Sequence, residues 1–163
     1  MTSENVKISA AIITASDSRS IDDDVSGNTL RVLLEEHGAE VIHHSVVTDE
    51  LELLRDQLIA LADRPDVDLV FTTGGTGLGP RDNTPEATLQ TIDREVPGIA
   101  EAMRNATSRL TPTAILSRGV AGTRNRTLLI NLPGSPKAVT ECFGVIAPIL
   151  DHAIRMVIGD TKH

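Results

Sequence analysis

Short apolar runs alternate along this chain with stretches whose leucines recur at helical spacing, and no other feature restricts its fold as much. Lys7 to Ala15 (KISAAIITA) is rich in isoleucine and reads as a buried strand. A polar loop, SDSRSIDDDVSG, precedes a helix from about Asn28 to His37, with Gly38 placed to cap its C-terminus. Ala39 to Val47 is β-branched enough for a second strand. Leu51, Leu54, Leu58 and Leu61 then mark a helix that stops before Pro65. Asp68 to Thr73 (DLVFTT) is a third strand. Helices over Pro85 to Thr91 and Gly98 to Arg109 are followed by a strand at Thr127 to Leu132. A long last helix runs from Pro136 towards Val157, and Pro148 inside it should produce a kink.

Strands separated by helices in this way form βαβ units. The expectation is an α/β fold: a single three-layer domain over residues 1–163, with a mainly parallel sheet and helices on both faces. No apolar stretch approaches the roughly 20 residues that span a bilayer, and MTSENVKISA lacks the basic and apolar regions of a secretory signal. One cysteine, Cys142, leaves no disulfide framework and no cysteine-based zinc site. A cytoplasmic protein is expected. The net charge of −8 argues against general binding to nucleic acid or an anionic membrane. Phe71 and Phe143, with no Trp or Tyr, offer no platform for stacking bases. The run Asp22-Asp23-Asp24 reads as a solvated loop rather than a metal site.

In a parallel sheet the loops leaving the strand carboxyl ends share one edge, where ligands bind near a topological switch point. The unusual residues fall in those loops. Ser16-Asp17-Ser18-Arg19 follows the first strand, Thr48-Asp49 the second, TTGGTGLGPRDNTPEA the third and Leu132-Pro133-Gly134-Ser135-Pro136 the last. Ser135 reads as an N-cap with Pro136 at the first helical position, and Thr84 with Pro85 repeats the arrangement. Helix N-termini present unpaired N–H groups and partial positive charge, which suit phosphate. Gly74, Gly75, Gly77 and Gly79 allow positive φ and close backbone approach, turning amides towards an anion. GGTGLGPRD is neither a Walker A loop nor GxGxxG, so an ordinary P-loop or Rossmann site is not expected.

Asp49 and Asp82 are the candidate chemical residues. Two carboxylates on one edge suit Mg²⁺, which takes few carboxylates together with substrate phosphate oxygens. Each has a plainer reading. Asp49 stands immediately before a helix and on local grounds reads first as only its N-cap, whereas Asp82 could close an Asx turn or pair with Arg81. Asp24, beside Ser26 and Gly27, reads as a cap or turn residue, with a ligand role left open. The histidines carry little. His43 and His44 point to opposite faces of a strand, His37 ends a helix, His152 is expected to pack on the last helix, and His163 is terminal. Cys142 reads as core.

The stretches DLVFTTGGTGLGPRDNTPEAT, PTAILSR and LLINLPGSPKAV, with DDVSGNTL and VVTDE, resemble the molybdenum-cofactor biosynthesis family called MogA/MoaB. The likeness covers nearly all of the chain, and TTGGTG-x-x-x-RD-x-TP-[ED]-A followed by LPG-x-PK is highly specific. The resemblance implies a molybdopterin adenylyltransferase, with ATP and molybdopterin as substrates and Mg²⁺ as cofactor. Its alternative is a non-catalytic molybdopterin carrier of the same pathway. By motif, Asp82 corresponds to the family's essential aspartate and Asp49 to a second acidic position, both implicated with Mg²⁺. Gly74, Gly75, Thr76 and Gly77 match the ligand cradle, with Thr73 before them and Arg81, Thr84 and Pro85 after. Gly134 and Ser135 match the LPG turn, and Ser16, Asp17 and Ser26 complete the substrate-binding set. The resemblance also implies a homo-oligomer (a trimer, or a hexamer in one branch) and a partner enzyme that inserts molybdate.

Overall fold

A computed structural model describes residues 6–160, so His163 and the first residues of MTSENVKISA lie outside it. The strands are β1 (Ser9–Ala15), β2 (Glu40–Val47), β3 (Leu69–Thr73), β4 (Arg94–Glu95), β5 (Ala121–Arg124) and β6 (Thr127–Leu132). The helices are α1 (Val25–His37), α2 (Leu51–Ala62), α3 (Thr84–Leu89), α4 (Pro97–Ser108) and α5 (Pro136–Val157), with 3₁₀ turns at Ile21–Asp23 and Pro112–Leu116. The sheet order is β2-β1-β3-β6-β5-β4. Pairing is parallel from β2 through β6 and antiparallel for β5 and β4. The sheet is therefore mainly parallel, as the alternation of elements predicts.

Period-two alternation sends the strand residues to two cores. Ala10, Ile12, Leu69, Phe71, Leu128 and Ile130 pack with Leu30 and Leu34 of α1, Met103 of α4 and Phe143 of α5. Ala11, Ile13, Val70 and Leu129 face the other way, onto Leu54 and Leu58 of α2 and Ala87 of α3. Helices thus cover both faces in three layers. The β5–β4 pair was not foreseen: AGTR and RE carry no apolar period. Their position comes from antiparallel pairing onto β6 and from Val96 donating to the Ala121 carbonyl at 2.8 Å.

Local signals settle most helix ends. Gly38 terminates α1 in the left-handed region (φ 97°), its N–H bonded back into the last turn. α1 begins earlier than expected because Asp24 caps it, accepting from the Gly27 N–H. The helix α5 continues on both sides of Pro148.

Register levels the strand ends. Ala15 pairs with Val47, Thr14 with Thr73, and Thr73 with Leu132. The four loops that follow these strands therefore leave from one edge. The chain crosses from β1 to β2 on one side and reaches β3 on the other, so the switch point lies between β1 and β3. Among the described residues no helix is long and apolar enough to cross a membrane.

Candidate functional site

At that switch point lies a cleft of about 530 Å³, lined by Ala15 to Arg19, Asp49, Gly74 and Gly134 to Pro136. All four loops supply its wall directly, and the second half of the glycine loop joins through Arg81 and Asn83. Arg81 makes a bidentate pair with Asp17 (Nε–Oδ2 3.0 Å, Nη2–Oδ1 2.8 Å). Asp17 Oδ1 also accepts from the Asp49 N–H at 3.0 Å. Asn83 Nδ2 donates to the Asp49 carbonyl at 2.9 Å. Arg81 thus pairs with Asp17 and not with its neighbour Asp82. The Arg81 bond and the Asp49 amide hold the Asp17 carboxyl below its ordinary range.

The glycine loop is shaped by contact as well as by torsion. Gly74 (φ 89°) and Gly75 (φ 69°) occupy the left-handed region. A Cβ on Gly74 would lie 2.6 Å from the Ala15 carbonyl oxygen, and one on Gly75 would collide with Thr84 Oγ1. Gly77 and Gly79, which would also allow positive φ, do not adopt it. Those two are needed for proximity, since a Cβ on either would stand 2.9 Å from Asp82 Oδ2. Asp82 closes the turn: Oδ2 accepts from the Gly79 N–H at 2.8 Å, while its own N–H donates to the Gly79 carbonyl at 3.1 Å. The carboxylate closes this turn backwards, onto the residue three before it, and so differs from the Asx turn that was one reading of Asp82.

Asp49 is not a helix cap. Glu50 occupies that position on α2, without a side-chain bond. The Asp49 carboxylate turns inward, and its Oδ1 is buried with no hydrogen-bond partner. Burial, then the charges of Asp17 and Asp82, raise its pKa above the ordinary carboxylate value. Thr84 Oγ1 is a second buried oxygen without a partner. Both oxygens border Gly75, because a Cβ there would also stand 3.2 Å from Asp49 Oδ1. A buried acceptor left unmade is costly in a folded protein.

The helix termini differ from expectation. Ser135 caps α5, Oγ accepting from the Ala138 N–H at 3.2 Å, with Pro136 at the first helical position. Thr84 does not repeat this. It is the first residue of α3, with Asn83 before it, and α3 has only 6 residues. Its hydroxyl is inside, and so short a helix contributes little dipole. Of the two helices expected at the site, α5 brings its N-terminal residues Ser135 and Pro136 to the wall of the cleft.

The other predicted residues act as struts. Thr73 is buried and donates from Oγ1 to the Pro133 carbonyl at 2.7 Å. Ser26 is buried and donates to the Gly134 carbonyl at 2.6 Å. Arg19 joins both, from Nη1 to Ser26 Oγ at 3.1 Å and to Gly134 O at 3.4 Å. Ser16 Oγ accepts from the Ser18 and Arg19 amides. Thr76 and Pro85 are buried beneath the glycine loop.

Two structural groups escaped sequence reasoning. Asp24 is not part of a solvated run: it is wholly buried, accepting from Thr14 Oγ1 at 2.5 Å and standing 2.7 Å from His44 Nε2. His44 is therefore a core partner. His152, by contrast, is exposed and not packed. The second group is a cavity of about 410 Å³ adjoining Ser135, walled by Ala100, Met103, Ala114 and Cys142 with Arg104, Asn131 and Lys137 among its polar groups. Burial raises the Cys142 thiol to about 11, which keeps it protonated. It is core, as its helical position suggests.

Residues 11–152 match the family described as "Probable molybdopterin binding domain". The chain is similar to the molybdopterin adenylyltransferase of Helicobacter pylori, 40% identical over 157 residues that cover 94% of this chain and 89% of that protein. It is 39% identical over 157 residues to molybdenum cofactor biosynthesis protein B of Escherichia coli, covering 95% of this chain and 92% of that one. The crystal structure of the molybdopterin biosynthesis enzyme MoaB from Thermus thermophilus matches with a TM-score of 0.86 at 46% identity, covering 93% and 97% of the two chains. By this family match and these identities, the chain belongs to the molybdopterin-binding family of molybdenum cofactor biosynthesis.

Proposed function

We propose that this protein transfers the adenylyl group of ATP to molybdopterin. In that reaction the terminal phosphate oxygen of molybdopterin bonds to the α-phosphorus, and the bond from that phosphorus to the pyrophosphate oxygen breaks. The observation that carries the reading is the buried, unpartnered Oδ1 of Asp49, raised in proton affinity beside a loop rich in backbone amides. An oxygen so placed lacks a positive partner, and a nucleotide with its cation supplies one.

Residues of this chain divide the work. The N-terminus of α5 presents N–H groups to phosphate oxygens, while the Gly74 N–H is committed to the Leu132 carbonyl at 3.2 Å and the Gly74–Gly75 turn contributes close backbone approach. Arg81, paired with Asp17 at the surface, lies within reach of a polyphosphate and can exchange one anion for another. The cavity beyond Ser135 combines apolar walls with a few polar groups, which suits a bicyclic heterocycle such as the pterin. Among the described residues no cluster of three or more His, Cys, Asp or Glu is arranged for a metal. That fits Mg²⁺, which binds through one or two carboxylates and substrate phosphates. Asp49 and Asp82 would hold it, and when bound it supplies neutralisation of the charge developing on the transferred phosphorus. The product would pass to a cytoplasmic enzyme that inserts molybdate.

The deciding experiment measures pyrophosphate release from ATP with and without molybdopterin and Mg²⁺. Release that needs all three is expected. Molybdopterin binding with no release would identify a carrier instead.

One feature of the surface supports a homo-oligomer. Leu78 on the glycine loop, with Leu110, Ile115 and Leu116 around the Pro112–Leu116 turn, are exposed apolar side chains. The Arg118 N–H donates to the Thr76 carbonyl at 2.9 Å, which brings these two segments together. Such a patch suits contact with further copies of the chain, as in a trimer. Sedimentation equilibrium should show a trimer for the wild type, and Ile115→Asp with Leu116→Asp should shift it towards monomer. A monomeric wild type at micromolar concentration would refute the assembly.

A further inference from the structure

Arg118 lies in the segment between the Pro112–Leu116 turn and β5, outside the four loops that follow the parallel strands. Its guanidinium nonetheless reaches the glycine loop at both ends of the span that carries Asp82. Nε donates to the Gly77 carbonyl at 2.7 Å, and Nη2 donates to the Asp82 carbonyl at 2.8 Å. Nη1 is paired with Glu86 Oε1 on α3. The Arg118 backbone N–H adds the bond to Thr76 already described.

Besides Arg118, the loop is tethered by side chains only, through the Arg81–Asp17 pair at the surface and, just beyond Asp82, through Asn83 on the Asp49 carbonyl. Between Gly77 and Asp82 its own bonds are those between Gly79 and Asp82, which close a turn without anchoring it. Leu78, Gly79, Pro80 and Arg81 are exposed. The exposed Arg81–Asp17 pair holds one long side chain and leaves the backbone of the turn free to shift. One planar fork with fixed donor directions, itself oriented by a carboxylate, removes that freedom, which a lysine's single ammonium could not do in the same way.

We propose that Arg118 is a positioning residue for the adenylyl transfer: held by Glu86, it clamps the Gly77 and Asp82 carbonyls and so sets where the Asp82 carboxylate stands relative to Asp49. The role rests on the functional reading above for its consequence in turnover, but its structural half stands alone. Arg118 touches no reacting atom in this account and acts through Asp82. Misplacing a catalytic carboxylate by an ångström costs about a hundredfold in rate.

Arg118→Ala and Arg118→Lys are compared with the wild type by amide hydrogen exchange and by pyrophosphate release. In Arg118→Ala, amides of residues 77–82 should exchange at least about tenfold faster while β3 and β6 keep wild-type protection. Turnover should fall about a hundredfold with KM for ATP changed less than about threefold, and added guanidinium ion at a non-denaturing concentration should restore part of it. If exchange rises throughout the sheet in Arg118→Ala, Arg118→Lys decides: loosening confined to residues 77–82 supports the clamp, and uniform loosening or none overturns it. Wild-type exchange and turnover in both variants would overturn it as well. A wild type that releases no pyrophosphate defeats the functional reading, while the exchange measurement still decides the clamp.

Discussion

Asp49→Asn and Asp82→Asn are each expected to lose about 10²–10³-fold in turnover, equivalent to about 3–4 kcal/mol of transition-state stabilisation, while still binding molybdopterin. Each replacement keeps the side chain's shape and removes its charge. Asparagine at 82 can still accept from the Gly79 N–H through its carbonyl oxygen, so the turn should persist. The two variants separate by stability. Asp49 is destabilised in its ionised form by burial and by Asp17 and Asp82. Its pKa is raised on folding, so stability falls as pH climbs from the ordinary carboxylate range through the raised value, and neutral pH carries the full penalty. Asp49→Asn should therefore melt at or above the wild-type temperature while losing activity, a trade common at functional positions. Thermal melts at pH 7 beside single-turnover assays test this. A variant with wild-type turnover would remove Asp49 from the chemistry.

The largest effect on stability should come from Asp24→Ala, with a loss of about 3–5 kcal/mol. The carboxylate is wholly buried, and Thr14 Oγ1, His44 Nε2 and the Gly27 N–H all point at it. Truncation strands three polar groups in the interior and uncaps α1. Space is tight as well, since a Cβ on Gly27 would collide with both Asp24 and His44. Burial alone would raise the Asp24 pKa, but the bonds from Thr14, Gly27 and His44 together outweigh it and hold the carboxyl below its ordinary value. A depressed carboxylate stabilises above its unfolded pKa of about 3.9, and that stability drains as pH falls through the folded value. Urea titrations should therefore show the wild type losing stability below about pH 4 more steeply than Asp24→Ala. A cost under about 1 kcal/mol would mean the network is solvated after all.

These residues show where sequence reading reaches its limit. The parallel strands were legible because buried strands must be continuous apolar runs, and β1, β3 and β6 are such runs. The convergence of loops followed from topology alone, before any side chain was placed. Caps were read correctly where the next residues offered an uncommitted helix, as at Ser135. They were misread at Thr84 and Asp49, where each polar side chain turns inward towards Gly75 and a neighbour takes the capping position. Asp24 was legible as a cap from Ser26 and Gly27 beside it, but the acidic run made it look solvated, and its burying partners Thr14 and His44 come from β1 and β2. The same holds for Arg118, whose four partners all lie over thirty residues earlier in the chain. No local pattern encodes such pairings. The β5–β4 pair was missed for a related reason, because antiparallel edge strands this short carry too few side chains for a period to show.

The claim beneath all of this is that phosphate binds where β1, β3 and β6 end, on main-chain N–H groups, and nowhere else on the molecule. Backbone amide shifts recorded by NMR during titration with Mg·ADP measure that directly. The largest changes should fall in residues 16–19, 49, 74–84 and 134–138. Changes confined to the opposite strand ends, near residues 63–68 and 124–127, would contradict the account.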